Sequence, residues 1–145
     1  MTLPSLRDLT DPAIERRALQ IAVAIAGLAP VVGGLLGARF GAAMLGGGGD
    51  VGFDSHYRYL SGLLFGIGLA YWSTIPRIET HGERFAILTF VVVIGGFCRA
   101  MGLLANGFPG PLMTAALGME LIVTPALYLW QSRVARIAAG SGDPV

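Results

Sequence analysis

The sequence predicts an all-α integral membrane protein, a four-helix bundle with both termini on the cytoplasmic side. Three observations support this fold class: the composition, four long apolar stretches, and an uneven distribution of arginine. Of the 145 residues, 54% are hydrophobic and 13% are charged, and the mean hydropathy is +0.67. Soluble domains carry about a quarter charged residues. So few charges cannot cover a water-exposed surface, which excludes both an ordinary soluble domain and a disordered chain.

Four spans are predicted because a transmembrane helix needs about 20 mostly apolar residues. The stretches that meet this requirement are approximately residues 18–38, 57–75, 85–105 and 112–130. They form a single membrane domain over residues 1–145, with an interfacial N-terminal segment over 1–17 and a glycine-rich outer loop over 39–56. Asp11 and Pro12 predict the start of the first helix, since an N-cap acceptor precedes a proline. The first span is longer than the apolar part of a signal peptide, so we expect it to be retained.

The distribution of arginine predicts the orientation of the spans. The N-terminal segment, the connection between the second and third spans, and the tail lie on one side of the membrane. Together they carry seven arginines: Arg7, Arg16, Arg17, Arg77, Arg84, Arg133 and Arg136. The opposite side carries Arg39 and Arg58. Because basic loops remain in the cytoplasm, both termini are predicted to lie inside, in a bacterial inner membrane.

Glycine spacing predicts how the helices pack. Gly33 and Gly37, and likewise Gly62 and Gly66, are small residues four apart. Such spacing allows helix backbones to approach closely in lipid. The glycines at 46–49 are followed by no Lys-Ser or Lys-Thr, so they predict a flexible outer connection rather than a phosphate-binding loop.

Arg99 and Glu120 are the charged residues predicted to lie deep inside spans. At 1.5 Å per residue, Arg99 lies about 9 Å and Glu120 about 12 Å from the outer ends of the third and fourth spans. A short turn joins these spans, so they are predicted to be antiparallel neighbours. An unpaired charge at mid-membrane costs about 2.5–3.5 kcal/mol on insertion scales. We therefore expect a charge-assisted hydrogen bond between the two side chains.

Four further polar residues are predicted to lie near this pair, in the outer half of the bundle. They are Asp54, His56, Arg58 and Thr124. Two interpretations stay open. The set is either an internal ion-pair network that fixes helix register, or a polar pocket that binds a small polar or anionic group. In the second interpretation Arg58 and Arg99 supply donors and Glu120 orients them.

Catalytic and metal-binding functions find little support in the sequence. None of the standard hydrolase or metalloprotease motifs is present, and the spacing of Asp50, Asp54 and His56 matches no standard metal site. The single cysteine, Cys98, excludes an intrachain disulfide and a paired-thiol redox centre. A net charge of +1 provides no basic field for nucleic acid. We expect no catalytic residue, no metal and no cofactor.

Several short motifs resemble those of a known family. They are His56–Gly62, Ile75–Ile78, Gly95–Arg99, Gly107–Pro111, and Glu120 with Thr124-Pro125. This set is similar to the small bacterial four-span family named domain of unknown function four-three-four-five, over about residues 54–131. A more distant resemblance in size and layout is to four-span proteins of the DoxX type. The resemblance implies a four-helix membrane bundle and adds weight to Arg58, Arg99 and Glu120, but it implies no activity.

The leading functional hypothesis is a non-enzymatic membrane protein. It binds a small or lipid-like ligand, or a membrane-protein partner, through the outer polar pocket. One alternative is a small proton-coupled carrier that works as a homo-oligomer, with Glu120 as its titrating group. A second alternative is a structural accessory subunit of a membrane complex. The expected surroundings are the lipid bilayer, with no nucleic-acid partner.

Overall fold

The computed structural model describes residues 11–46 and 50–140, which are almost entirely helical. Its four helices are α1 (Pro12–Phe40), α2 (Val51–Trp72), α3 (Gly82–Asn106) and α4 (Pro111–Gly140). Short 3-10 turns follow α1 over Gly41–Leu45 and α2 over Ile75–Arg77. These residues contain no strand, so the all-α prediction is confirmed. Residues 1–10 of the predicted interfacial segment and residues 47–49 of the predicted glycine loop lie outside the described ranges.

Three of the helices are long and apolar enough to cross a membrane: α1 with its 3-10 extension, α3 and α4. This is compatible with the predicted membrane class. Helix α2 has 22 residues, or about 33 Å at 1.5 Å per residue. Its first half carries Asp54, His56 and Arg58, which lower its hydropathy. A fourth span therefore stays a prediction.

The ends of the helices follow local capping chemistry. Asp11 Oδ1 accepts a hydrogen bond from the Ala13 N–H at 2.9 Å, as predicted for the start of α1. At α2, Asp50 Oδ1 accepts from the Phe53 N–H at 2.9 Å. This cap starts α2 six residues before the predicted boundary, so much of the predicted outer loop is helical where it is described. Helix α2 ends at Trp72 rather than at residue 75, and α4 continues to Gly140, ten residues beyond the predicted end.

The described chain divides into two compact units, one comprising residues 21–76 and the other residues 11–20 and 77–140. In the first unit, most of α1 and all of α2 form an antiparallel hairpin. Near one end, Trp72 Nε1 donates to the Ala24 carbonyl at 3.1 Å. Further along, Gly34 lies against the backbone of Ser61 and Phe65. The buried residues of α1 recur every three or four positions, so one stripe of this helix faces α2.

The glycines that permit this packing are not all the predicted ones. Gly37 does lie against Ser61, but a Cβ at Gly33, Gly62 or Gly66 would meet no other atom within 4 Å. Gly34, rather than Gly33, makes the close contact with α2 that the glycine spacing predicts. One residue along a helix is a rotation of about 100°, so spacing alone could not determine which glycine faces α2.

The second compact unit has its most buried side chains around the start of α3 and the last turns of α4. Leu19, Ile78 and Phe85 are fully buried, and Gln131 and Val134 nearly so. Gln131 Nε2 donates to the Ile78 carbonyl at 2.9 Å. This hydrogen bond satisfies a buried amide that would otherwise destabilise the unit. It also attaches α4 to the connection that precedes α3.

The packing of α1 against α2 predicts that alanine substitutions at two adjacent glycines will have different effects on stability. A Cβ at Gly34 would lie 2.5 Å from the Phe65 nitrogen and 2.7 Å from the Ser61 carbonyl oxygen. Gly34→Ala should therefore lower the stability by about 1–3 kcal/mol through overpacking. The control Gly33→Ala should leave it unchanged or raise it by up to about 1 kcal/mol, because alanine reduces the entropy of the unfolded chain. The midpoint of thermal unfolding in detergent measures both, and equal shifts would contradict this packing.

Candidate functional site

Arg99 on α3 and Glu120 on α4 form a bidentate ion pair. The Nε of Arg99 donates to Glu120 Oε2 at 2.9 Å, and its Nη2 donates to Glu120 Oε1 at 2.9 Å. The side chains are 34% and 18% exposed, respectively. Parallel hydrogen bonds of this kind are among the strongest polar contacts that proteins make. The predicted pairing of these two residues is therefore present in the structure.

Gly96 allows the backbones of α3 and α4 to approach closely enough for this pair. A Cβ at Gly96 would lie 2.7 Å from Leu121 Cδ2 and 3.0 Å from Glu120 Cβ. Gly96 is buried and precedes Arg99 by three residues, so both lie on neighbouring parts of one helix face. The absence of a side chain at Gly96 thus brings Glu120 within reach of Arg99.

Glu120 lies in a π-helical turn, Met119–Val123, inside α4. The backbone N–H of Thr124 donates to the Met119 carbonyl, and so does its Oγ1 at 2.9 Å. Pro125 follows directly. A proline lacks the N–H of a normal helical turn and clashes with the preceding turn, and the wider π turn accommodates it. Thr124, predicted as a site residue, therefore stabilises the turn that carries Glu120 and makes no hydrogen bond to Arg99.

A cavity of about 420 Å³, open to the protein surface, adjoins the ion pair. Arg99 is one of its lining residues, and Nη1 of Arg99 donates to Met113 Sδ at 3.3 Å. The remaining lining comes from the end of α3 and the turn before α4: Gly102, Leu103, Asn106, Gly107, Phe108 and Pro109. The cavity is mainly apolar, with one guanidinium and one carboxamide as polar groups.

Arg58 and Asp54 form a second ion pair, within the other compact unit. Arg58 Nε donates to Asp54 Oδ2 at 2.7 Å, and Nη1 donates to the carbonyls of Ala38 and Arg39, each at 2.9 Å. Asp54 Oδ1 accepts from the Ala42 N–H at 2.8 Å. These contacts satisfy backbone groups left unpaired at the end of α1. Gly41, with φ +63°, leaves room for them, since a Cβ there would meet Asp54 and Arg58.

Both carboxylate oxygens of Asp54 are thus hydrogen-bonded, one to Arg58 and the other to the Ala42 N–H. Asp54 therefore joins the start of α2 to the end of α1.

The predicted site residues thus fall into two local groups. Asp54 pairs with Arg58 in one compact unit, and Glu120 pairs with Arg99 in the other. His56 is exposed, and its side chain makes no hydrogen bond with the described residues. The convergence of all six residues in one outer pocket stays a prediction.

Sequence reasoning missed a set of ion pairs around the buried Gln131. Glu15 Oε1 accepts from Arg133 Nη2 at 2.8 Å, and Arg16 Nη1 donates to Glu79 Oε1 at 3.2 Å. The distribution of arginine predicts the orientation of these segments but not their contacts with one another. Acidic residues in the same predicted cytoplasmic segments, Glu15 and Glu79, were the available signal that these segments attach to one another.

Comparison with known proteins assigns the family. Residues 18–131 match the family described as Domain of unknown function (DUF4345). The chain belongs to this family. The resemblance found from the motifs is therefore confirmed, and the DUF4345 region includes Arg58, Arg99, Glu120 and the whole cavity lining. Searches of curated proteins and of solved structures returned no match, so the resemblance to DoxX-type proteins stays a prediction.

Proposed function

We propose that this protein is a non-enzymatic membrane protein that binds a small or lipid-like ligand in the cavity beside Arg99. The observation that carries the proposal is the position of the Arg99 guanidinium. Two of its nitrogens hold Glu120, while the third, Nη1, reaches only a thioether at the cavity wall. Ligand sites typically have volumes of about 300–1,000 Å³, with mostly apolar walls and a few convergent polar groups. The cavity of about 420 Å³ has this character.

The chemistry of the lining favours binding over catalysis. Beyond glycine and proline, its members are Arg99, Leu103, Asn106, Phe108 and Met113. None of these is a nucleophile or a general base at neutral pH. Glu120, the adjacent carboxylate, has both oxygens occupied by Arg99. This pairing also favours a fixed orienting role for Glu120 over the proton-carrier alternative.

We further propose that α2 also crosses the membrane, which makes four spans with both termini in the cytoplasm of a bacterial cell. Its length of about 33 Å exceeds the hydrocarbon thickness of about 30 Å. The charges near its start, Asp54 and Arg58, are paired with one another and with the end of α1. The arginine distribution supports the same orientation.

Single-cysteine labelling tests whether α2 crosses. In a Cys98→Ala background, Gly46→Cys precedes α2 and Thr80→Cys follows it. A membrane-impermeant thiol reagent should label Gly46→Cys in intact cells and Thr80→Cys only after the cells are opened. Labelling of both positions from the same side would contradict a fourth span.

Binding in the cavity is tested by filling it. Gly102 and Gly95 both lie on α3, and a Cβ at either meets no other atom within 4 Å, but only Gly102 lines the cavity. The probes are decanoylglycerol and decyl phosphate, added to detergent-purified protein and detected by native mass spectrometry. At least one probe should bind the wild type one-to-one. Gly102→Leu should weaken that binding at least about tenfold, while the control Gly95→Leu should retain it.

Two outcomes of this experiment would contradict the proposed site. The first is that neither probe binds the wild-type protein. The second is that the two leucine variants bind equally well, since only one of them fills the cavity.

A further inference from the structure

We propose that the cavity selects an uncharged amphiphile that offers a carbonyl oxygen to Arg99 and a hydroxyl group to Asn106. This inference rests on the proposed binding function and specifies the chemical class of the ligand. It follows from the charge balance of the cavity, the hydrogen-bonding capacity left on two side chains, and the position of the apolar walls.

The charge balance disfavours an anionic ligand. Arg99 is the only charged residue among those that line the cavity. Its charge is balanced by Glu120, which is held by two hydrogen bonds of 2.9 Å. An anion would meet a guanidinium whose charge is already balanced, and the neighbouring Glu120 carboxylate would repel it. A neutral acceptor can use the guanidinium without breaking the pair.

The hydrogen-bonding capacity of Arg99 is only partly used. A guanidinium has five N–H groups, and three of them donate to the described residues: two to Glu120 and one to Met113 Sδ. A thioether sulfur is a weak acceptor. A carbonyl oxygen in the place of this sulfur would give Nη1 a stronger, charge-assisted bond. The site therefore has a donor that is better matched by an oxygen than by its present partner.

Asn106 supplies a hydrogen-bond acceptor, which complements the donor on Arg99. Its Nδ2 donates to the Gly102 carbonyl at 3.2 Å. Its Oδ1 accepts no hydrogen bond from residues 11–46 or 50–140. Asn106 lies seven residues after Arg99, or about 10 Å along α3. A ligand that bridges the two therefore needs an acceptor at one end of its polar part and a hydroxyl donor at the other.

The apolar walls indicate an amphiphile rather than a small soluble molecule. Leu103 and Phe108 contribute carbon surface to the lining, and the Phe108 residue is 69% exposed. Helix α3 has 25 residues, or about 38 Å, against a hydrocarbon thickness of about 30 Å. Its end therefore lies near the headgroup layer, where the esters of membrane lipids are found. The cavity is placed to receive the polar part of such a molecule while its chain remains in the apolar region.

Dissociation constants of matched probes, measured by native mass spectrometry, test this preference for an uncharged amphiphile. Decanoylglycerol is uncharged and carries an ester and hydroxyl groups, whereas decyl phosphate has the same chain length and is anionic. The wild type should bind decanoylglycerol at least about tenfold more tightly. Glyceryl monoacetate, which has the same polar part without the long chain, should bind at least about tenfold more weakly than decanoylglycerol. If decyl phosphate or glyceryl monoacetate binds as tightly as decanoylglycerol, the inference is wrong, although ligand binding itself still stands.

Glu120→Gln tests the role of charge balance directly. The amide still accepts a hydrogen bond from Arg99 but leaves its positive charge uncompensated, so the preference should shift at least about tenfold toward decyl phosphate. Glu83→Gln removes the same charge at the exposed start of α3, outside this cavity, and should leave the wild-type preference unchanged. An unshifted preference in folded Glu120→Gln would overturn the charge argument.

A second variant tests the role of Asn106 without changing the Arg99–Glu120 ion pair. Asn106→Ala removes the proposed hydroxyl acceptor at an exposed position. In the wild type, decanoylglycerol should bind about tenfold more tightly than methyl decanoate, which has the ester but no hydroxyl group. This ratio should fall to near one in Asn106→Ala. A ratio that Asn106→Ala does not change would overturn the assignment of Asn106.

Discussion

In helices that are long and apolar enough to cross a membrane, a charged side chain needs a partner or water, and α3 and α4 provide the partner by pairing Arg99 with Glu120. Other local features of the site depend on that requirement. Gly96 brings the two helices together, and the π turn before Pro125 carries the carboxylate. Because the pair is electrically neutral and uses only part of the guanidinium, it can stabilise the helix pair and still present a donor to the adjacent cavity.

The two ion pairs, one predicted and one found only in the structure, join different parts of the chain. Arg58 uses its donors on Asp54 and on the last carbonyls of α1, so its contacts join two helix ends. Arg99 has one nitrogen whose only partner is a thioether. Each arginine uses three of its five N–H groups on described residues, but of the two only Arg99 lines the cavity. The proposed binding site therefore comprises the surroundings of Arg99 rather than all six predicted residues.

The helical class and the pairing of Arg99 with Glu120 could be predicted from the sequence. Both depend on quantities that are counted along the chain, namely the length of an apolar stretch and the number of residues between a charged residue and a short turn. The sequence was insufficient where a rotation about a helix axis or a local backbone irregularity decides the contact. Gly34 rather than Gly33 faces α2, since neighbouring residues point about 100° apart. A proline such as Pro125 disturbs a regular helix, but its presence in the sequence does not show that a π turn carries Glu120. The contacts of Glu15 and Glu79 join segments distant in sequence, which periodicity cannot detect.

A double-mutant cycle on detergent-purified protein tests whether the Arg99–Glu120 pair stabilises the contact between α3 and α4. The free energy of unfolding is measured for the wild type, Arg99→Leu, Glu120→Leu and the double variant. Each single change should destabilise the protein more than the double change does, because either one leaves an uncompensated charge beside an apolar interface. The coupling should be about 1–3 kcal/mol, moderated by the partial exposure of the pair. Single effects that add to within about 0.5 kcal/mol would contradict it.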